Sequence, residues 1–258
     1  MRKYKDREVL AGAMVFLLAV SVAGCCKDND DPEHSLSLLG GLLAGGGGNQ
    51  APIPLGAAGS FRVLAGSTVT NTGFTSVNGD LGVSPGSACS GFPLPCTGGG
   101  PGTVSGTIFT PPSVADNAQA DLTTAYNLAA GRPPGAAVSG NLGGQTLSPG
   151  VFTATSSLAI SSGDLTLTAL GDSNAVFIFQ IPSTLTVTTG RRVILAGGAQ
   201  ASNVYWQVGD SAVIGTFSDF SGTIMALNSI TLATSATLHG RALARNAAVT
   251  LDTNVVSP

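Results

Sequence analysis

Apolar and polar positions alternate in short runs over most of the chain. "NAVFIFQI" (174–181), "NVYWQV" (203–208) and "STLTVTTGRRVIL" from Ser183 each read as a strand in which every second side chain faces a core. These runs repeat. "SAVIGTFSDFSGTIMALN" (211–228) and "SITLATSATLHGRALARN" (229–246) have equal length and both end in Ala-x-Asn, and "AAVTLDTNVV" (247–256) follows in the same style. "SSLAISSGDLTL" from Ser156 resembles the Ser183 run, and "GDLGVSPG" (79–86) is echoed by "GNLGGQTLSPG" (140–150). A period near eighteen to twenty, with β-branched residues and Gly or Asn punctuation, predicts the stacked coils of a β-solenoid. A β-sandwich would also give short strands and regular turns, but the equal-length repeat favours the solenoid.

One segment departs from this period. In "PPSVADNAQADLTTAYNLAAGRPP" the apolar positions Val114, Ala118, Leu122, Ala125 and Ala129 fall on one helical stripe. Ser113 fits an N-cap, Asp116 the first turn, and Gly131 with Arg-Pro-Pro the stop. The alanines permit close approach, so a helix over about 113–130 is expected to lie along one solenoid face. The fold class is therefore mostly β: a parallel β-solenoid with one long α-helix alongside.

Charge is confined unusually. All three lysines (Lys3, Lys5, Lys27) and both glutamates (Glu8, Glu33) precede residue 34, and from residue 50 onward only six Arg and eight Asp carry charge. Such a surface offers no footprint for nucleic acid and no basic patch for anionic lipid. The N-terminus is laid out for export: basic "MRKYKDREV", then apolar "LAGAMVFLLAV", then small residues. "VAGC", ending at Cys25, resembles a bacterial lipobox, which implies cleavage before Cys25, a lipid on its thiol and anchorage to the cell envelope, or secretion if lipidation fails. We assign 1–25 to a lipoprotein-type signal, 26–54 to a Gly-rich tether and 55–258 to the folded domain. After export, Cys89 and Cys96, which bracket "SGFPLP", are expected to form a local disulfide. Four metal ligands cannot be assembled around them, so neither a metal nor a cofactor is expected.

Threonine is the side chain with a functional pattern. On a parallel solenoid, equivalent residues of successive coils stack about 4.8 Å apart and alternate residues along a strand lie about 6.7 Å apart. Outward threonines would form a grid on the scale of a crystal lattice, each with a hydroxyl for water and a χ1 already stiff. Candidate rows run through Thr72-Gly73-Phe74-Thr75, Thr188 to Arg191, Thr216-Phe217-Ser218-Asp219, Thr234-Ser235-Ala236-Thr237 and Thr253-Asn254. A three-residue step places one member of each pair at a corner or a bulge. Thr184, Thr186 and Thr188, with Thr166 and Thr168, form an alternative grid with a two-residue step.

The strings "FRVLAGSTVTNTG", "GDLGVSPG", "AQADLTTAYNLAAGRP", "LGGQTLSPGVF", "NAVFIFQI", "GGAQASNVYWQVG" and "GRALARNAAVTLDTN" resemble, in order from Leu55 to Pro258, the microbial ice-binding family DUF3494. The resemblance implies a right-handed, discontinuous β-solenoid with a long flanking helix, which adsorbs to ice through a flat face often marked Thr-Ala/Gly-x-Thr/Asn. On that pattern Thr72, Thr75, Thr188, Thr216, Ser218, Thr234, Thr237 and Thr253 are the expected ice contacts. Arg191, Asp219 and Val256 stand where Thr or Asn belongs, so moderate activity is expected. The implied partners are an ice surface and, through the anchor, a bacterial membrane, with the protein a monomer. The alternative is a cell-surface adhesin or carbohydrate-binding module on the same fold. An enzyme is not expected: the domain has no Glu or Lys, and Asp164, Asp172, Asp210, Asp219 and Asp252 stand at turns where carboxylates cap backbone. Arg241 and Arg245 are read as structural, pairing with Asp252 or bonding the terminal coil.

Overall fold

The computed structural model describes residues 50–258. The signal with its Cys25, and the tether up to Asn49, lie outside the described residues. Parallel strands stack into a three-sided solenoid. The first face runs through the starts of Ala136–Asn141 and Gly150–Ile160, then Phe177–Ile181, Val204–Val208 and the second halves of Asp219–Ala226 and Thr237–Ala244. The second runs through the end of Gly150–Ile160, then Leu185–Val187, Ala212–Ile214, Ile230–Leu232, Val249–Asp252, Thr68–Thr72 and Ala88–Ser90. The third takes Thr146–Leu147, Leu165–Thr168, Val193–Ala196, the first halves of the two long strands, Val255–Ser257, Ser76–Val77 and Thr103–Val104.

Coil order is not chain order. The first strands in sequence stack on the last coil, with Val63 against Ala242, Thr70 against Thr250 and Ser76 against Val255. The chain then passes through the helix to begin a new set of coils at the opposite end. This is the discontinuity that the family resemblance implies. The repeat is visible in side chains too: Asn228 donates to Asp210, 18 residues earlier. Longer coils carry loops, as where Thr153 donates to Gln180 across 27 residues. The two long repeats align as expected, Ala212 on Ile230, and Ser156 falls over Ser183. The resemblance between 79–86 and 140–150 has no structural counterpart, because Gly82 stands on the first face and Asn141 on the second.

Alternation builds the interior. Leu185, Val187, Ile230, Leu232, Val249 and Leu251 point inward and are buried, while the residue between each pair points out. Aromatic rings stack through successive coils from Phe152 to Phe179 (5.0 Å between centroids), Trp206 (3.9 Å) and Phe220 (5.0 Å). These are core strands, as their alternation predicts. Each such ring pair adds about 0.5–1.5 kcal/mol beyond the area it buries. Where the long strands bend from the third face to the first, glycine is required: a Cβ on Gly240 would lie 2.0 Å from the Gly222 carbonyl oxygen, and φ there is +151°.

The helix spans Val114–Ala130. Ser113 caps it, its side chain accepting from Ala115 N–H while the Asp116 carboxylate accepts from Ser113 N–H, which completes a capping box. Its buried stripe is Ala115, Ala118, Leu122, Ala125, Tyr126 and Ala129, so Ala115 takes the place expected for Val114, which is half exposed. Small side chains let the helix sit close against the first face. There Gln180 donates to the Ala129 and Arg132 carbonyls (3.0 and 2.8 Å), and Gln207 donates to the Tyr126 hydroxyl (2.8 Å). Ile53 joins this second core layer. Cys89 and Cys96 form the expected disulfide, with Cα atoms 4.6 Å apart. Arg241 donates to the Gly59 carbonyl (3.0 Å) and Arg245 lies over the Tyr126 ring (4.6 Å), structural roles that do not involve Asp252.

Candidate functional site

Three faces are available, and they differ in what they expose. The first is covered by the helix. The third is charged and concave: His239 Nε2 lies 3.2 Å from Asp219 Oδ1, Arg191 pairs with Asp164 (3.9 Å), and a groove of about 730 Å³ opens beside Arg192, Ile194, Asp219 and His239. The second face is continuous and hydroxyl-rich.

Its central row is fixed by register. Ala159, Thr186, Val213, Thr231, Thr250, Thr70 and Ser90 stand opposite one another in successive coils, each flanked by inward-facing residues. Thr70, Thr186 and Thr250 are exposed and Thr231 is partly so. Their spacing is about 4.8 Å along the row. Two residues earlier in each strand a second row of small side chains runs parallel: Thr184, Ser211, Ser229, Ala248 and Thr68. The hydroxyls of Thr70, Thr186, Thr231 and Thr250 make no hydrogen bond to other described residues, so all four are left for solvent. That distinction separates the central row from the corner beside it.

At the corner between the second and third faces, the N–H groups of Gly190, Phe217, Ser235 and Thr253 donate to the carbonyls of Thr216, Thr234, Asp252 and Thr72. Consequently Thr189, Thr216, Thr234, Asp252 and Thr72 stack as one row, followed by a row of left-handed residues: Gly190, Phe217, Ser235, Thr253 and Gly73. The expected contacts distribute around this corner. Thr72, Thr216 and Thr234 do share a row. Thr188 lies one residue before it and Thr253 one residue after, because the coil through Leu251 is shorter by one residue at the turn than the coil through Leu232. Thr237 lies across the corner on the third face, opposite Val255.

Thr75 and Ser218 are corrected outright. Both are buried, at 1% exposure, and neither can touch an external surface. Thr75 Oγ1 accepts from Asn254 N–H (3.0 Å), and Ser218 donates to the Thr188 carbonyl (2.9 Å). They stitch the turn together. Buried Asn254 does the same, donating to the Ala233 and Ala236 carbonyls (2.8 and 3.1 Å). Several corner hydroxyls are also engaged inside the protein: Thr188 donates to the Ile160 carbonyl (3.3 Å), and Thr234 and Thr253 both donate to Asp252. The anticipated interruptions of the pattern move as well, since the charged Arg191 and Asp219 belong to the third face and Val256 is buried.

The charge that does interrupt the threonines is Asp252. The Thr234 hydroxyl above all, joined by those of Thr253 and Thr72, holds its carboxyl below the usual carboxylate range against an opposing desolvation. It stays ionised at neutral pH in the corner row. The central row was legible in principle: stacking "SAVI" on "SITL" places Val213 over Thr231, and the triplets Leu-Thr-Val, Ile-Thr-Leu and Val-Thr-Leu carry the outward threonine in their middle. The three-residue Thr-x-x-Thr spacing belongs to the turn beside that row.

Comparison with known proteins bears on what such a face meets. The family model described as Ice-binding-like matches residues 63–257. The chain belongs to the ice-binding-like family. This family member is 50% identical over 205 residues to an ice-binding protein of Nostoc sp. (strain HG1), covering 79% of this chain and 73% of that protein. It is 35% identical over 219 residues to an ice-binding protein of Flavobacterium frigoris (strain PS1), covering 80% and 76%. Among solved structures, an ice-binding protein from an Antarctic biological consortium superposes with a TM-score of 0.76 at 55% identity, covering 80% of this chain and 90% of that one. An Arctic yeast ice-binding protein, described for its antifreeze activity, gives 0.72 at 31% identity, covering 80% and 94%.

The Asp252 geometry can be checked directly in this ice-binding-like domain. Its depressed pKa means that its contribution to stability is present above the unfolded-state value, about 3.9, and is lost as pH falls through the folded value. A carboxyl titration followed by NMR should place the Asp252 midpoint below 3.8, and Thr234→Val should raise it. A midpoint at or above the ordinary value would contradict the hydroxyl cage.

Proposed function

We propose that the protein adsorbs to ice through its second face, centred on Thr70, Thr186, Val213, Thr231 and Thr250, and thereby inhibits ice growth and recrystallisation. Family membership and relatives named for ice binding support the partner. The observation that carries the choice of face is the in-register row of threonine hydroxyls left without internal partners, at lattice-scale spacing, on the side the helix does not cover. A preformed row loses little entropy on adsorption, so many weak contacts can add. Threonine methyl groups limit how water packs against the face while the hydroxyls anchor it. Adsorption of this kind involves no reacting group and is not enzymatic.

Asp252 limits the strength of binding, because a hydrated carboxylate at the edge of the grid must be partly stripped of water on contact. This replaces Arg191 and Asp219 as the reason for moderate activity. We also propose that the mature protein is a monomer held at the bacterial envelope by a lipid on Cys25, which the basic, apolar, small-residue order of the N-terminus supports. An anchored ice-binder would act at the cell surface.

Thr231→Tyr, which places a bulky ring in the middle of the row, should reduce inhibition of ice recrystallisation about ten-fold or more while surface exposure keeps the stability change near ±0.5 kcal/mol. Asp252→Thr should increase activity. Full activity in Thr231→Tyr would show the face to be wrongly chosen. For the anchor, Cys25→Ser should move the protein from the membrane fraction to the soluble exported fraction; an unchanged distribution would end that part of the reading.

A further inference from the structure

Two of the exposed large apolar side chains stand at the corner beside the proposed ice-binding face: Phe74, 80% exposed, and Phe217, 67% exposed. Phe217 is the more telling. Its φ is +56°, a left-handed backbone that disfavours a bulky residue, and the equivalent positions in other coils hold Gly190, Ser235, Thr253 and Gly73. Glycine would fit without strain and serine with a smaller exposed side chain, so the ring is not there to make the turn. Nor does it join the core, from which it points away. A strained backbone bearing an exposed ring is a local cost that folding does not offset, and such costs concentrate at functional positions.

The place of the two rings gives that cost a purpose. Phe217 and Gly73 are three coils apart in the left-handed corner row, about 14 Å at the usual strand spacing, and Phe74 follows Gly73 directly. Between them lie Ser235 and Thr253, and on the inner side runs the Thr216, Thr234, Asp252 and Thr72 row. On the outer side the first row of the third face is Asp219, Thr237, Val255 and Ser76, so the charged groove begins at the Phe217 end, at Asp219 and His239, while the Phe74 end is uncharged. The second face, interrupted in this corner by Asp252, therefore turns into a second, inclined strip with an exposed ring towards each end.

We infer that this corner is a second ice-contact strip, in which Phe74 and Phe217 act as apolar rims that let the protein engage ice in an orientation inclined to that of the main face. The inference rests on the second face being the ice-binding face, with which the strip is continuous. Each ring would shed ordered water on contact with the lattice surface, while Ser235 supplies a hydroxyl between them. Asp252, at the junction, faces both strips.

The test compares Phe217→Gly, Phe217→Asn and Phe74→Ala with the wild-type chain, with Thr231→Tyr as a reference. Glycine and asparagine both accept the left-handed backbone. Thermal hysteresis should fall by roughly two-fold or more at equal concentration for each Phe variant, in line with the loss of exposed apolar contact, with Tm unchanged or raised in Phe217→Gly. Fluorescently labelled wild type should decorate more than one orientation on a single-crystal ice hemisphere, and the Phe variants fewer. Unchanged hysteresis and decoration would overturn the proposal, as would a loss that merely tracks unfolding measured by circular dichroism. Inactive Thr231→Tyr beside fully active Phe variants would leave the face reading standing and sink the corner. Inactive Phe variants beside fully active Thr231→Tyr would sink the face reading and make the corner the site.

Discussion

The parallel backbone ladder, which holds each coil over the next at the hydrogen-bonding distance of neighbouring strands, is the constraint on which every other feature depends. It turns a sequence repeat into a spatial one. Without it the outward threonines would be scattered surface residues, each spending rotamer freedom on contact; with it they arrive already aligned. The same ladder explains why the interior is so uniform. Inward positions must match across coils, and the Phe152, Phe179, Trp206 and Phe220 stack is that matching carried out with aromatic rings.

The two other sides then follow from the need to close a triangular coil. One face is sealed by a helix whose small stripe, Ala115, Ala118, Leu122, Ala125 and Ala129, permits close approach, with Gln180, Gln207 and Tyr126 satisfying polar groups at the junction. Another carries a cluster of charges, Asp219, His239, Arg191 and Asp164. The central row of the remaining face holds no charged side chain. The corners are where the sequence must depart from alternation, and buried Asn254, Thr75 and Ser218 provide the hydrogen bonds that a turn cannot supply for itself.

This division accounts for what could be read from the chain alone. Strand character, the solenoid period, the capped helix and the disulfide all depend on local alternation, caps and short spacings, and these were legible. The proposed ice-contact residues were less so, because a hydroxyl's role depends on whether the protein already uses it. Thr75 and Thr70 are indistinguishable as letters, yet one accepts a buried backbone N–H and the other faces water. The phase of the Thr-x-x-Thr motif depended in turn on a one-residue difference between turns, which shifts Thr253 out of the row that Asp252 enters. A Thr-rich sequence therefore identifies the kind of surface more readily than its members.

The most direct test of the account places the same bulky residue on each side of the coil and measures partition of labelled protein into a slowly growing ice hemisphere. Tyrosine at Thr250 on the second face is compared with tyrosine at Thr166 on the third and at Asn127 on the outer side of the helix. The account predicts that only the Thr250 substitution excludes the protein from ice. Exclusion by either of the others, with the Thr250 variant still incorporated, would contradict it.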